Sequence, residues 1–248
     1  MTASTIWNTA PAVLNLGGAE VHVWMSRLDV CEPKLNELEQ TLSADEQLRA
    51  ARFHFVEDRN HYVTGRGLLR SLLGQYLAAD PRELKFSYNP FGKPELAAAS
   101  GQAELRFNLA HSHGLALFAF TREREVGVDL EWIRPDFATN EIAERFFSRA
   151  EVAVLRALPP EMQAQAFFNC WTRKEAFIKA HGMGLSMPLD QFVVTLAPGE
   201  SPALLSAEGD PQAANRWAMH ALDTAAGYVA ALAVAGKECG LKCWHCPE

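Results

Sequence analysis

Two acidic residues, Asp129 and Glu131, lie two positions apart in a segment that alternates like a β-strand. Side chains at that spacing point to the same face of a strand. Two carboxylates on one face repel each other unless a cation lies between them. Because Mg²⁺ takes oxygen ligands and often keeps substrate phosphates in its shell, the pair predicts half of a magnesium site for a phosphate ester. The alternative is an exposed strand face with solvated acids.

A second group of charged residues, Lys174, Glu175 and Lys179, falls in a predicted long helix. Glu175 and Lys179 are four residues apart, so they could form an ordinary surface pair of about 0.2–0.5 kcal/mol. Three large apolar residues nevertheless lie at helical spacing from Glu175, namely Phe168, Trp171 and Ile178. An acid on such a side needs a partner, which a metal ion or a lysine would supply.

Four further basic residues could contact phosphate groups. His111 ends a predicted strand, and Lys93 lies in a loop dense in turn-forming residues. Arg49 and Arg66 lie on two consecutive predicted helices. Each has a structural alternative, because a histidine at a strand end is commonly structural or exposed, and basic residues on helices commonly form a solvated face.

Three cysteines, Cys239, Cys243 and Cys246, lie close together at the end of the sequence, beside His245. Thiolates at short spacings occur in zinc and iron–sulfur sites. The interpretation that we prefer is a flexible, oxidisable tail over residues 239–248, with adventitious zinc binding as the second.

The composition predicts a globular chain without affinity for nucleic acid or membranes. The 248 residues are 48% hydrophobic and 21% charged, which is enough to bury a sizeable core. The formal net charge is −7, so bulk attraction to nucleic acid is not expected. No apolar run reaches the length of a membrane span, and the first 15 residues lack the pattern of a signal peptide. With five cysteines and no disulfide framework, a cytoplasmic location is expected.

Strands and helices alternate without the regular order of βαβ units, which predicts the α+β class. Strands are expected at residues 20–28, 105–110, 115–121, 126–132, 191–196, 216–222 and 228–234. Helices are expected at residues 33–42, from 44 to about 53, from 58 to about 79, from 140 onward, after 148, and at 161–181. Two of them begin with a capping box, formed by Ser43 with Glu46 and by Ser148 with Glu151. Gly182 suits the C-terminal cap of the last helix.

The order of three segments resembles that of the 4′-phosphopantetheinyl transferases, and more narrowly of the Sfp type, which activates carrier proteins. The segments read Phe-Asn-Leu-Ala-His-Ser at 107–112, Gly-Val-Asp-Leu-Glu at 127–131, and Trp-Thr-Arg-Lys-Glu-Ala-Phe-Ile-Lys at 171–179. Residues 52–53, 57–58, 65–70 and 91–94 also agree, in family order. The resemblance covers residues 43–189 and continues more loosely to 234.

This resemblance implies two pseudo-symmetric α+β subdomains with the active site in the cleft between them. Residues 1–123 would form the N-terminal half, with contacts to coenzyme A phosphates, and residues 124–238 the C-terminal half, with the metal ligands. The family reaction moves the phosphopantetheine arm of coenzyme A to a serine of an apo acyl or peptidyl carrier protein. It requires Mg²⁺, with Mn²⁺ as an alternative, and releases adenosine 3′,5′-bisphosphate. A monomer acting in fatty-acid or natural-product synthesis is expected.

The resemblance also implies roles for single residues. Asp129, Glu131 and Glu175 would bind the metal, with Glu175 also the candidate base. Coenzyme A would be held by Arg49, Arg66, Lys93, His111, Lys174 and Lys179, and Lys179 and His111 would also take part in catalysis. Two departures from the family pattern, Ala110 for a common serine and Glu46 for a common lysine, weaken the expected phosphate contacts.

Two other functions stay open at this stage. One is a catalytically silent relative that binds coenzyme A or a carrier protein without turnover. The other is a metal-dependent phosphoesterase of the α+β class. The presence of all three carboxylates favours the transferase over the silent relative.

Overall fold

In the computed structural model, residues 5–97, 104–134 and 136–247 are described. They form twelve strands: β1 (Trp7–Asn8), β2 (Glu20–Arg27), β3 (Phe86–Tyr88), β4 (Pro94–Leu96), β5 (Leu105–Ser112), β6 (Leu115–Arg122), β7 (Val126–Trp132), β8 (Phe192–Val194), β9 (Leu204–Ala207), β10 (Trp217–Ala221), β11 (Tyr228–Ala235) and β12 (Gly240–His245). The α-helices are α1 (Glu32–Glu39), α2 (Ala44–Ala50), α3 (Val56–Leu77), α4 (Asn140–Phe146), α5 (Arg149–Ala157), α6 (Pro160–His181) and α7 (Ala213–Arg216). Short 3₁₀ turns lie at Pro81–Glu83, Gly184–Ser186 and Leu189–Gln191. The predicted α+β class is confirmed.

Two sheets form the centre of the described part of the chain. The larger has the order β1-β12-β2-β6-β5, and the smaller has the order β10-β11-β7. β2, β6 and β5 are antiparallel neighbours, as are β10, β11 and β7, whereas β12 runs parallel to both β1 and β2. The pairs β3–β4 and β8–β9 form separate two-stranded hairpins.

Successive side chains of each strand point to opposite faces of the sheet, and this divides the core into layers. Trp24 and Phe118 face α3 and pack on its leucines, among them Leu69 and Leu72. The opposite face of the large sheet packs on the small sheet, through an aliphatic cluster that includes Val23, Leu117, Val128 and Leu232. The outer face of the small sheet packs on α6, where Ala231 and Ala233 join a cluster with Phe177 and Ile178. The order of layers is therefore helix, sheet, sheet, helix.

The order of elements repeats within the chain. β2 is followed by α1, α2, the 22-residue α3, the β3–β4 hairpin and then β5 and β6. β7 is followed by α4, α5, the 22-residue α6, the β8–β9 hairpin and then β10 and β11. In both sheets the last strand of the repeat pairs between the other two, as β2-β6-β5 and as β7-β11-β10. Two similar α+β halves, as the family resemblance implied, account for this order.

Local sequence signals correctly predicted where most helices begin and end. Both capping boxes form, with the Glu46 and Glu151 carboxylates accepting the backbone N–H groups of Ser43 and Ser148. Gly182 ends α6 in the left-handed conformation, at φ 70°. α3 begins at Val56 rather than at Asp58, and the short elements β1, β3, β4, β9 and α7 were not predicted.

The prediction of a flexible tail at residues 239–248 is wrong. Gly240–His245 form β12, which pairs with β1 on one side and β2 on the other inside the large sheet. Cys243 and Trp244 are buried on opposite faces of that sheet, and Cys246 is buried beyond the strand. A short strand flanked by turn residues carries little periodicity, so its burial between two other strands was not evident from the sequence. The end of the chain thus completes the sheet of the N-terminal half.

Candidate active site

The candidate site lies where β7 packs against α6. Val126, Val128 and Leu130 point into the core between the two sheets, so the alternate residues of β7 face the helix. Gly127 is the first of these, and a Cβ atom there would overlap the backbone of Ala176 and Ala180 on α6. Glycine therefore lets the strand and the helix approach closely, and the next two residues on that face are Asp129 and Glu131.

Asp129 and Lys179 form the central contact of the site. The Nζ atom of Lys179 lies 2.6 Å from Oδ1 of Asp129. The Asp129 side chain is 6% exposed and that of Lys179 is 30% exposed. Burial opposes the charged form of Lys179, but the charge and hydrogen bond of Asp129, with Glu175 and Glu131, outweigh it and raise the pKa of the ammonium. The other carboxylate oxygen of Asp129 is buried and has no hydrogen-bond partner among the described residues.

Glu175 and Glu131 complete a set of three interacting carboxylates. Burial and then the charge of Asp129 raise the pKa of Glu175 to about 7, with Glu131 adding and Lys179 opposing. Burial and the Asp129 charge likewise raise the pKa of Glu131, against Arg134, Lys179 and a hydrogen bond from Ser112. These shifts indicate that the three carboxylates lie close to one another and to a single lysine. A bound cation would reduce the repulsion between them.

The donor chemistry fits a hard divalent ion, because carboxylate oxygens are the ligands that Mg²⁺ prefers. The unpartnered Oδ2 atom of Asp129 is available to such an ion. As the described side chains stand, however, no three acidic, histidine or cysteine residues are arranged as a ready metal cage. The ammonium of Lys179 occupies one oxygen of Asp129 instead. Binding of an ion would therefore require the side chains around Asp129 to rearrange.

Ser112, at the end of β5, borders the acids, and His111 precedes it. Ser112 Oγ lies 3.5 Å from an oxygen of Glu131. Partial desolvation, together with the charges of Lys179 and then His61, lowers the pKa of His111, so its imidazole is neutral near pH 7. A neutral imidazole keeps one N–H that can donate to a phosphate oxygen. Ser112 thus lies beside Glu131, whereas the contact of His111 with a phosphate stays a prediction.

Lys174 does not belong to this site, contrary to the prediction that it binds the pyrophosphate. Its side chain is completely buried, and Nζ lies 2.9 Å from a carboxylate oxygen of Glu151 on α5. The same ammonium donates to the carbonyl oxygens of Leu189 and Phe192, at 2.7 and 2.5 Å. Lys174 is adjacent to Glu175 in sequence but points into the core on another side of the helix, which the local pattern did not reveal.

The remaining basic residues lie apart from the acids. Lys93 donates to the carbonyl oxygens of Ala180 and Val126, at 3.0 and 3.4 Å. Burial lowers the pKa of Lys93, with Glu125 and Glu95 opposing. Arg66 is largely buried, pairs with Glu46 and stacks on a phenylalanine ring. Arg49 is exposed, and its guanidinium lies 5.4 Å from the centre of the Tyr62 ring.

A cavity of about 840 Å³ lies elsewhere, where β1, β12 and β10 meet. None of the three carboxylates lines it. Its volume alone gives no reason to place chemistry there, because its described lining contains no comparable group of interacting charges. We therefore assign the candidate site to the β7–α6 interface.

Comparison with known proteins identifies one family over nearly the whole chain. Residues 125–233 match the 4′-phosphopantetheinyl transferase superfamily, and residues 29–122 match the N-terminal domain described for 4′-phosphopantetheinyl transferases. The chain is 43% identical to the 4′-phosphopantetheinyl transferase HetI of Nostoc sp. over 239 residues, which cover 96% of this chain and 98% of HetI. The chain belongs to the 4′-phosphopantetheinyl transferase family.

The sequence of a second relative agrees with this membership. The transferase Sfp of Bacillus subtilis is 34% identical over 155 residues, which cover 62% of this chain and 66% of Sfp. A solved structure, the holo-[acyl-carrier-protein] synthase of Thermotoga maritima, aligns with a TM-score of 0.37 at 22% identity, over 46% of this chain and 63% of the synthase. Among the described residues of this transferase, no helix is long and apolar enough to cross a membrane.

Three residues that contact the site or support it were not singled out from the sequence. Asn108 and Ser112 bond to the backbone of β7, and Glu151 holds Lys174. For Asn108 and Ser112, the available signal was their spacing of four residues on β5. Val128 and Trp132 have the same spacing on β7. Glu151 was predicted only as a helix cap, because its burial depends on packing between helices.

Proposed function

We propose that this transferase moves the 4′-phosphopantetheine arm of coenzyme A to a serine of an apo acyl or peptidyl carrier protein, in a reaction that depends on Mg²⁺. The observation that carries the proposal is the contact of Lys179 with Asp129, whose second carboxylate oxygen is buried and unpartnered, in a group of charges that also includes Glu131 and Glu175. Membership of the family and the names of its close relatives support the reaction class.

Asp129, Glu131 and Glu175 would hold the metal ion. When bound there, Mg²⁺ would act as a Lewis acid toward the pyrophosphate of coenzyme A. Positioning and electrostatic stabilisation dominate phosphoryl transfers of this kind, so the arrangement of charges in the site matters more than any single proton transfer.

Protein side chains supply the remaining interactions with the reacting groups. The serine oxygen forms a bond to the β-phosphorus, the bond to the bridging oxygen breaks, and adenosine 3′,5′-bisphosphate leaves. Lys179 would neutralise charge on the phosphoryl oxygens, and His111 would donate a hydrogen bond to a phosphate. Glu175, the candidate base, would accept the serine proton with the carboxylate oxygen that does not bind the ion.

The test is incubation of the protein with coenzyme A, Mg²⁺ and an apo acyl carrier protein, with the mass of the carrier followed by mass spectrometry. The wild type should add the mass of the phosphopantetheine arm, and Asp129→Ala should add none. Glu161→Ala is the matched control, because Glu161 is an exposed acid on α6. Full activity of Asp129→Ala would reject the assigned site, and hydrolysis of coenzyme A without a carrier would favour a phosphoesterase.

A further inference from the structure

The two central sheets meet at strand edges that carry no backbone pairing with each other in the described part of the chain. β5 is the edge strand of the large sheet, and β7 is the edge strand of the small sheet. β7 pairs with β11 along one side only. In such a strand alternate N–H groups point away from the partner and need other acceptors when they are buried.

Asn108 supplies the first of these acceptors. Its Oδ1 atom accepts the backbone N–H of Val128 at 2.9 Å, and both residues are buried. Val128 immediately precedes Asp129 in the chain. The bond therefore fixes the backbone next to the acid that contacts Lys179.

Ser112 supplies the second hydrogen-bond acceptor for β7. Its Oγ atom accepts the backbone N–H of Trp132 at 3.1 Å and lies 3.5 Å from an oxygen of Glu131. Asn108 and Ser112 are four residues apart on β5, as are Val128 and Trp132 on β7. The two side chains thus hold β7 on both sides of the segment that carries Asp129 and Glu131.

We infer that Asn108 and Ser112 are positioning residues, which replace a missing strand pairing and set where the carboxylates of Asp129 and Glu131 lie relative to α6. The inference deepens the proposed function and depends on it for its effect on metal binding. One face of β7 already packs closely on α6 through Gly127, so a shift of the free edge of β7 would move the acids against Glu175 and Lys179. Partners that orient metal-binding residues typically change metal affinity by about 10–100-fold when they are removed.

The experiment compares Asn108→Leu, Ser112→Ala and the conservative Ser112→Thr with the wild type. Amide hydrogen exchange, followed by NMR, should become faster at Val128 in Asn108→Leu and at Trp132 in Ser112→Ala. Titration with Mn²⁺ alone, followed by electron paramagnetic resonance, should show affinity lowered about tenfold or more in both variants. Ser112→Thr keeps the hydroxyl and should restore both the exchange rate and the Mn²⁺ affinity.

Asn169→Ala is the matched control for a loss of stability alone. Asn169 is also buried, and its amide donates to the carbonyl oxygen of Leu196, away from β7. It should lower the melting temperature but leave Mn²⁺ affinity and exchange at Val128 unchanged. Unchanged exchange at Val128 and Trp132 in the two variants would overturn the inference, as would an equal loss of Mn²⁺ affinity in Asn169→Ala. A wild type that binds no Mn²⁺ and transfers no arm would instead reject the proposed function, and exchange alone would then decide the positioning role.

Discussion

Lys174 and Arg70 occupy the same position, the fifteenth residue, in the two 22-residue helices α6 and α3. Each is completely buried and pairs with the glutamate of a capping box, Lys174 with Glu151 and Arg70 with Glu46. Each also donates to carbonyl oxygens of the segment that follows its own helix. The repeat in the chain therefore extends to a buried ion pair that fixes one short helix, one long helix and the next connection in each half.

We expect Lys174→Met to destabilise the protein by about 3–5 kcal/mol, because the substitution leaves the charge of Glu151 buried without a partner. The free energy of unfolding, measured by urea denaturation, checks this. Lys179→Met is the comparison on the same helix. The folded variant should lose transfer of the arm, because Lys179 contacts Asp129 in the candidate site, whereas folded Lys174→Met should retain it.

Loss of transfer by folded Lys174→Met would contradict the assignment of Lys174 to the core. The double variant Glu151→Gln with Lys174→Met provides a second check, because it removes both charges. It should be more stable than Lys174→Met alone, since no unpaired charge then remains in the interior.

The sequence predicted the elements that bear strong local signals. Both capping boxes, the end of α6 at Gly182 and the strands that carry the acids follow from residue types at fixed spacings. The placement of Asp129 and Glu131 on one face of a strand follows from the two-residue period. That they face α6 follows from Gly127 only once the packing of strand and helix is known.

The features that could not be predicted from the sequence depend on packing between residues far apart in the chain. Lys174 and Glu175 are neighbours in sequence, but a helix turns its side chains by about 100° per residue, so one enters the core and the other enters the site. The bonds from Asn108 and Ser112 to β7 join residues 20 positions apart across two sheets. The pairing of residues 240–245 and the burial of Cys243 and Trp244 depend on strands from the other end of the chain.

Gly127→Ala should damage both folding and activity. The added methyl group would overlap the backbone of Ala176 and Ala180, so β7 and α6 would have to separate. Overpacking of this kind costs about 1–3 kcal/mol or more, and the separation would move Asp129 away from Lys179. Thermal unfolding and the carrier-modification assay measure the two effects. Gly18→Ala is the control, because a methyl group there meets nothing within 4 Å, and equal behaviour of the two variants would contradict the close packing.

Removal of residues 240–248 should prevent stable folding. β12 lies between β1 and β2, so its loss would expose the edge of β2 and leave the space filled by Cys243 and Trp244 empty. Loss of one large buried aromatic side chain alone costs about 3–5 kcal/mol. Circular dichroism and the yield of soluble protein measure the outcome. A chain that lacks only residues 247–248 is the control, and a well-folded chain without residues 240–248 would restore the idea of a flexible tail.

The raised pKa of Glu175 makes the stability of the metal-free protein depend on pH. An ordinary glutamate has a pKa of 4.5, whereas Glu175 titrates at about 7 in the folded state. Between these values the folded state holds a proton that the unfolded state has released, so stability falls as pH rises from about 5 to about 8. At about 1.36 kcal/mol per pKa unit, the loss should be about 2–3 kcal/mol.

Glu175→Gln should remove this dependence, because its amide stays neutral at every pH in that range. In the presence of EDTA the variant should be as stable as the wild type near pH 5 and more stable near pH 8, by urea denaturation. Glu161→Gln, which alters an exposed acid of α6, should follow the wild type throughout. If the site holds a divalent ion, Mg²⁺ should restore the stability of the wild type near pH 8 but help Glu175→Gln far less, because the variant lacks one carboxylate. A difference between wild type and Glu175→Gln that stays constant with pH would show that Glu175 does not share its charge environment with Asp129 and Glu131.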